Sequence, residues 1–471
     1  MGNTGDKYRI LAFNINDISR YQDWSYFSIE WSYQYGVGIL STGRHGKPSK
    51  SSGGKMSLKV FLQAGVACAA LSLAGAAGAS AEPLKIALVE TLSGPQASTG
   101  LLYRAAVLYQ LGKINEAGGF NGEKIQILEY DNQGGPVGAA DRVKAAIADG
   151  AQIIVQGSSS AVAGQITEDV RKYNLRNKGK EVLYLNLGAE ALELTGSKCH
   201  FYHFRFSPNA AIHFKTVAQG MKDKGILGER AYSINQNYSW GVDVENTVVA
   251  NAKEIGYEVV DKTLHEVNKI QDFSPYVAKI QAANVDTVFT GNWSNDLLLL
   301  MKAASGAGLK AKFATSFLDQ PGNIGNAGAI AEGHIVSTPF NPEANGEASM
   351  AFAEDYKKVT GHYPSYVEPA AVFGLQLFGE ALKNVKPGEG KINTTDIALA
   401  IENASVKTPM GDYSMRSDDH QAKFPMVVQE VSKKARIKAD GTEYGFLPFK
   451  TFTGDESIDP VQESCSMKRP G

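Results

Sequence analysis

The chain has 471 residues, a length that by itself suggests about three domains, and it carries 47 Lys and Arg against 49 Asp and Glu. A balance of that sign excludes nucleic acid as a partner, because such binding needs a basic surface to displace counterions.

The first 55 residues fit poorly with the rest. Residues 21–35 (YQDWSYFSIEWSYQY) are dense in aromatics without a clear period, and 43–55 is a Gly, Ser and Lys run of the kind that stays disordered. Residues 1–55 are read as a non-native or disordered extension from an over-extended start codon, a small N-terminal module being the alternative. From Met56 a basic start, an uncharged Ala-, Leu- and Val-rich stretch over 60–73 and Ala79-Ser80-Ala81 make the three parts of a secretory signal peptide, 56–81. The apolar stretch is shorter than the ~20 residues a membrane span needs. Cys68 lies in mid-stretch rather than at its end, so the mature chain is expected to be free of a lipid anchor and to start near Glu82.

From Glu82 onward 390 residues remain, with 39 Lys and Arg against 45 Asp and Glu, enough for two cores of ordinary size. Short apolar runs then alternate with stretches of helical period, the pattern of βα units around a parallel sheet. Strands are expected over 84–89, 124–130, 152–156 and 182–187, with helices over 101–117, 138–149 and 162–174. The chain is expected to cross over at 205–209. The alternation then restarts, with strands at 231–234, 258–264, 287–290 and 312–315 and helices at 210–224, 242–255, 276–283 and 296–307. Beyond Gly333 a strand is expected at 334–338 and helices at 348–359, 369–385 and 394–403, followed by a strand-like tail over 413–452 with a turn at 438–441. The expected lobes are 82–206 plus 334–408 and 207–333 plus 409–460, with a tail over 461–471. Two cysteines survive past Glu82, Cys199 and Cys465. In an oxidising compartment they suit a single disulfide, two free buried thiols being the alternative.

Open parallel sheets bind ligands outside the carboxyl ends of their strands. Gly157-Ser158-Ser159-Ser160, entering a helix, offers hydroxyls and N–H groups to a carboxylate, and Thr91-Leu92-Ser93-Gly94-Pro95 is a similar turn. Either turn could instead be only a good helix cap. Tyr238-Ser239-Trp240 and Asn292-Trp293-Ser294 place aromatics beside polar residues, as a pocket for a partly apolar ligand would, although large aromatics also bury in cores. Gly157-x-Ser159-x-Ala161 approaches the nucleophile elbow of a secreted hydrolase but lacks its final Gly, and neither His334 nor His420 has a distinctive setting. Cys199-His200-x-x-His203 lacks the second pair a zinc site needs, and Gly322-x-x-Gly325-x-x-Gly328 lacks dinucleotide-loop spacing. No catalytic residue, metal or cofactor is therefore expected.

Leu84-Lys85-Ile86-Ala87, Leu92-Ser93-Gly94-Pro95, Ile114-Asn115-x-Ala117-Gly118-Gly119 and Gly157-Ser158-Ser159-Ser160 together resemble the leucine-isoleucine-valine-binding protein family of ABC importers, over nearly all of the chain after residue 82. Cys199-His200-Phe201-x-His203-Phe204-Arg205-Phe206 with Cys465-x-Met467-Lys468-Arg469-Pro470 resembles a branched-chain amino-acid-binding subgroup with a cysteine at both places. The resemblance implies an α/β type I periplasmic binding fold of two Rossmann-like lobes with parallel sheets joined by a three-stranded hinge. It further implies a monomer in the periplasm that binds a branched-chain amino acid, catalyses nothing and docks on an inner-membrane permease; an aromatic acid or short-chain amide is the alternative ligand. Ser158, Ser159, Gly188 and Ala189 match the places where the family holds the ligand carboxylate, and Tyr238, Trp240 and Trp293 fall at the aromatic side of the cleft. Asp319 falls near its ammonium-binding Glu. Ser93 and Thr99 belong to the first loop, where Thr99 replaces a family Tyr, and Glu190 stands in place of a Thr, so a more cationic or polar ligand is expected if Glu190 faces it.

Overall fold

The computed structural model describes residues 82–386 and 392–470. The expected extension and signal peptide lie outside the described residues.

In the first lobe β1 (Lys85–Glu90), α1 (Ala97–Glu116), β2 (Gln126–Asp131), α2 (Pro136–Ala148), β3 (Ile153–Gln156), α3 (Ser160–Arg176) and β4 (Leu183–Asn186) alternate as the sequence pattern requires. A short β5 (His203–Arg205), hidden in sequence by its three-residue length, completes a parallel sheet in the order β2-β1-β3-β4-β5. Every residue of β3 and β4 is buried, as expected of central parallel strands covered by helices on both faces.

The second lobe repeats the scheme with α4 (Ala210–Asp223), β6 (Arg230–Gln236), α5 (Ser239–Ile255), β7 (Glu258–His265), α6 (Ser274–Ala282), β8 (Thr287–Thr290), α7 (Asn295–Ala307), β9 (Lys312–Thr315), α8 (Asn323–Ala327) and β10 (Ile335–Thr338). Gly256 and Gly308 end α5 and α7 in the left-handed conformation, at φ 99° and 62°, which glycine adopts without a Cβ clash. After β10 come α9 (Gly346–Thr360), α10 (Glu368–Leu382) and α11 (Thr394–Glu402), then β11 (Ser405–Thr408), β12 (Gly411–Met415), β13 (Ala422–Lys423), β14 (Met426–Ser432), β15 (Gly445–Phe452) and α12 (Gly454–Ser457). The second sheet runs β15-β14-β10-β9-β8-β6-β7. Its β7-β6-β8-β9-β10 portion has the same strand order as the first sheet.

Three details correct the sequence reading. The second sheet is mixed, because β14 pairs antiparallel with both β10 and β15. β10, expected at the start of a first-lobe segment, is hydrogen-bonded between β9 and β14 and belongs to the second lobe. The change of pattern after Gly333 marks where the βα alternation stops, and the chain leaves the sheet only after Thr338. Finally, β11, β12 and β13 form a separate antiparallel sheet whose first two strands pack on α10, and α10 lies along α1 in the first lobe. The third crossing therefore falls near residue 424 rather than 409.

The first and third crossings are tied together by buried polar groups. Arg205 is fully buried; its Nε donates to Gln421 Oε1 (2.6 Å), its Nη1 to Ala191 O (2.6 Å) and its Nη2 to Thr195 Oγ1, while its backbone N–H bonds His420 O. Cys199 and Cys465 form a disulfide, and Gln462 donates to Leu192 O, so the tail is fastened to the first lobe.

Candidate ligand-binding cleft

In each sheet the strand order reverses direction at one point, between β1 and β3 in the first lobe and between β6 and β8 in the second. Loops leaving such a point diverge and open a crevice. Here the two crevices face each other across a cavity lined by Thr99, Ser158, Ser159, Gly188, Ala189 and Glu190 from one lobe and Tyr238, Trp240 and Trp293 from the other. Nine of the eleven expected ligand residues thus share one cavity. Four further aromatic or apolar side chains, Tyr103, Phe317, Tyr366 and Val367, line it as well and had not been singled out.

The serine turn does not present its groups as the sequence suggested. Glu90, fully buried at the end of β1, accepts from the N–H groups of Thr91 (2.7 Å), Gly157 (2.8 Å) and Ser158 (3.3 Å) and from the Ser158 hydroxyl. Burial pushes the Glu90 carboxyl above the usual carboxylate range while those hydrogen bonds oppose the shift. The next loop is similarly occupied from behind: Asn186 Oδ1 takes the N–H of Gly188 and Ala189, and Ser160 Oγ takes that of Glu190. Of these two loops, the Ser159 side chain and Glu190 remain to face the cavity, beside the Tyr103 ring. Glycine is required at 157 and 188 because a Cβ at either place would run into Tyr103. That spacing of two glycines after consecutive strands was the signal that could have revealed Tyr103.

The opposite wall is held from its own lobe. Trp240 Nε1 donates to Gly291 O and its ring packs 5.4 Å from Phe317, whereas Trp293 Nε1 donates to the Tyr238 hydroxyl, both bonds being 2.7 Å. The two lobes touch. Ser294 Oγ reaches Pro95 O (3.3 Å), Leu192 N–H donates to Asp243 (2.7 Å), Tyr366 N–H donates to Asp319 (2.8 Å), and His213 Nε2 lies 3.3 Å from Glu190 Oε1. Ser294 and Tyr366 both sit at φ 57°, a strained conformation for side-chain-bearing residues, and both make these bridging contacts.

Two expected residues lie elsewhere. The Ser93 hydroxyl is held by Asp131 (2.5 Å) in an exposed position, because the Leu92–Ser93 turn caps onto the end of β2. Asp319 faces an adjoining groove, with its Oδ2 engaged by the Tyr366 backbone. Burial pushes Asp319 up to about 7, the Tyr366 hydrogen bond opposing. An Asp raised in the folded state holds its proton there after the unfolded chain has released it, so its contribution to stability is complete below about pH 4 and is lost as pH rises through about 7. Asp319→Asn is expected to reduce the fall in unfolding free energy by about 1.4 kcal/mol per pH unit across that interval, read by denaturant unfolding at several pH values. An unchanged slope would show that Asp319 is ionised throughout.

Residues 83–436 match the periplasmic binding protein family. The leucine-, isoleucine-, valine-, threonine- and alanine-binding protein of Pseudomonas aeruginosa is 27% identical over 387 residues, 78% of this chain and 95% of that protein. Among solved structures, a periplasmic binding protein from Burkholderia mallei aligns with a TM-score of 0.70 at 19% identity, over 82% of this chain and 98% of the other. The solute-binding protein of an ABC transporter from Rhodopseudomonas palustris, in complex with 3,4-dihydroxybenzoic acid, gives 0.67 at 20% identity over 79% and 98%. The opposed switch points, the three crossings and the sequence match agree, and the chain belongs to the periplasmic binding protein family, whose members bind solutes for ABC transport and are not enzymes.

Proposed function

We propose that this protein is exported through its signal peptide to the periplasm, where it serves as the monomeric substrate-binding component of an ABC importer. It takes a small amino acid of the branched-chain type into the interlobe cleft and presents the closed form to an inner-membrane permease. The observation that carries this reading is the cavity between the two switch points, walled by lobe-one polar groups and lobe-two indoles. The Pseudomonas aeruginosa relative, named for leucine, isoleucine, valine, threonine and alanine, supports the amino-acid class.

Solute enters against the Ser159 and Tyr103 side, and closure brings Trp240 and Trp293 over it. Contacts made only after closure shift the population toward the closed form. An aromatic acid is the second reading, favoured by the six aromatic rings of the lining, Tyr103, Tyr238, Trp240, Trp293, Phe317 and Tyr366, and by the dihydroxybenzoate-bound neighbour.

Thermal unfolding with a panel of amino acids, aromatic acids and amides decides between them. A solute at 100 times its Kd adds about 2.7 kcal/mol to stability, so an amino acid should raise the melting temperature measurably. A response confined to aromatic acids would select the second reading, and no response to any panel member would contradict both.

A further inference from the structure

Asp296, in the first turn of α7, is fully buried. Its Oδ2 accepts from Gln236 Nε2 (2.7 Å) and from the Asn268 N–H (2.9 Å), both uncharged donors, and its Oδ1 has no partner among the described residues. The nearby Lys269 is engaged by Glu266 (3.0 Å) at the surface and does not serve it. A buried carboxylate without a cation is costly, and such groups are ordinarily paired or bound to a metal ion.

Two further oxygens are open in the same group. Gln236, fully buried at the end of β6, turns its Nε2 toward Asp296 and the Trp293 carbonyl (3.3 Å), which fixes the amide and leaves Oε1 without a partner. Asn268 is half-buried on the connection between β7 and α6 at φ 54°, and its Oδ1 is likewise unpartnered. The end of β6, the loop after β7 and the start of α7 are thus drawn onto one carboxylate, with three acceptors open and no buried donor of these residues left over. Buried polar atoms are nearly always partnered. A water would satisfy two acceptors but leave the charge uncompensated, whereas a cation answers both.

The donor set fixes the kind of cation. It holds a carboxylate and two amide oxygens, with neither sulfur nor imidazole, and so suits a hard ion. Calcium takes Asp and Asn or Gln oxygens together with waters in an adaptable shell, while magnesium demands a near-ideal octahedron. We propose that Asp296, Gln236 and Asn268 form a calcium site in the second lobe, next to the turn that carries Trp293. A single carboxylate places its affinity at the weak end for calcium proteins, on the order of 0.1–1 mM.

The test is calorimetric titration of the chelator-treated full chain with calcium, magnesium and sodium chlorides at matched ionic strength, with thermal unfolding alongside. Calcium should bind with a Kd of about 0.1–1 mM, magnesium at least about tenfold more weakly, and 10 mM calcium should raise the melting temperature by about 2 °C or more. Asp296→Asn, which keeps the shape and removes the charge, should weaken calcium by about tenfold or more. Asn268→Gly deletes one amide oxygen and suits the positive φ, so it should fold normally and weaken calcium by about three- to tenfold. No calcium binding up to 10 mM, or equal responses to the three salts, overturns the assignment. Calcium affinity unchanged in Asp296→Asn also overturns it, and if that variant does not fold, unchanged affinity in Asn268→Gly does so. No readout involves the solute, so this result is independent of the cleft's cargo.

Discussion

Trp293→Ala should weaken solute binding by about 30- to 1,000-fold, the 2–4 kcal/mol typical of a buried aromatic anchor at the centre of a binding surface. The indole is 4% exposed, lines the cavity and is held by a single hydrogen bond to the Tyr238 hydroxyl. Its removal should cost affinity more than fold stability. Trp240→Ala is expected to behave differently. That ring packs against Phe317, Phe214 and His213 within its own lobe, so its loss should lower stability by about 3–5 kcal/mol as a core cavity does. Titration and denaturant unfolding of the two variants separate these effects. Affinity unchanged in Trp293→Ala would remove the indole from the site.

Opening the Cys199–Cys465 disulfide, by reduction or by replacing both cysteines with serine, should lower the unfolding free energy by about 2–5 kcal/mol. The bond closes a loop with a sequence separation of 266, and in the chain-entropy account the constraint on the unfolded chain grows with the logarithm of loop length. It also anchors a tail that otherwise holds on through Gln462 to Leu192 and Arg469 to Glu402. Neither cysteine lines the cavity, so solute affinity of the folded protein should change by less than about threefold. Denaturant titrations with and without reductant measure the first quantity, and a midpoint insensitive to reductant would show that the crosslink adds no stability.

The sequence was most legible where a regular period or an all-apolar run defined an element. β8 and β9 begin and end where the apolar runs do, and the four first-lobe strands expected are all present within two residues at either end. β5 and β13, of three and two residues, are too short to carry a period, and their partners are brought in by the fold. The two indoles and the serine turn could be placed in the cleft because parallel sheets bind ligands at strand ends. Tyr366 could not. It lies between α9 and α10, next to Val367 but far along the chain from the rest of the lining, and a tyrosine at φ 57° has no sequence signature. Nor does anything local to Ser158 indicate that Glu90, a strand away, takes its hydroxyl and N–H from beneath. Asp319 likewise meets a backbone donor from the other lobe.

The most direct test of a solute held between the two switch points is a crystal structure with the panel's strongest binder. The account predicts density for that solute bounded by Ser159 and Tyr103 on one side and by Trp240 and Trp293 on the other, with both lobes in contact with it. Density confined to the separate groove walled by Phe340, Tyr363 and Phe446, with the main cavity unchanged, would contradict it.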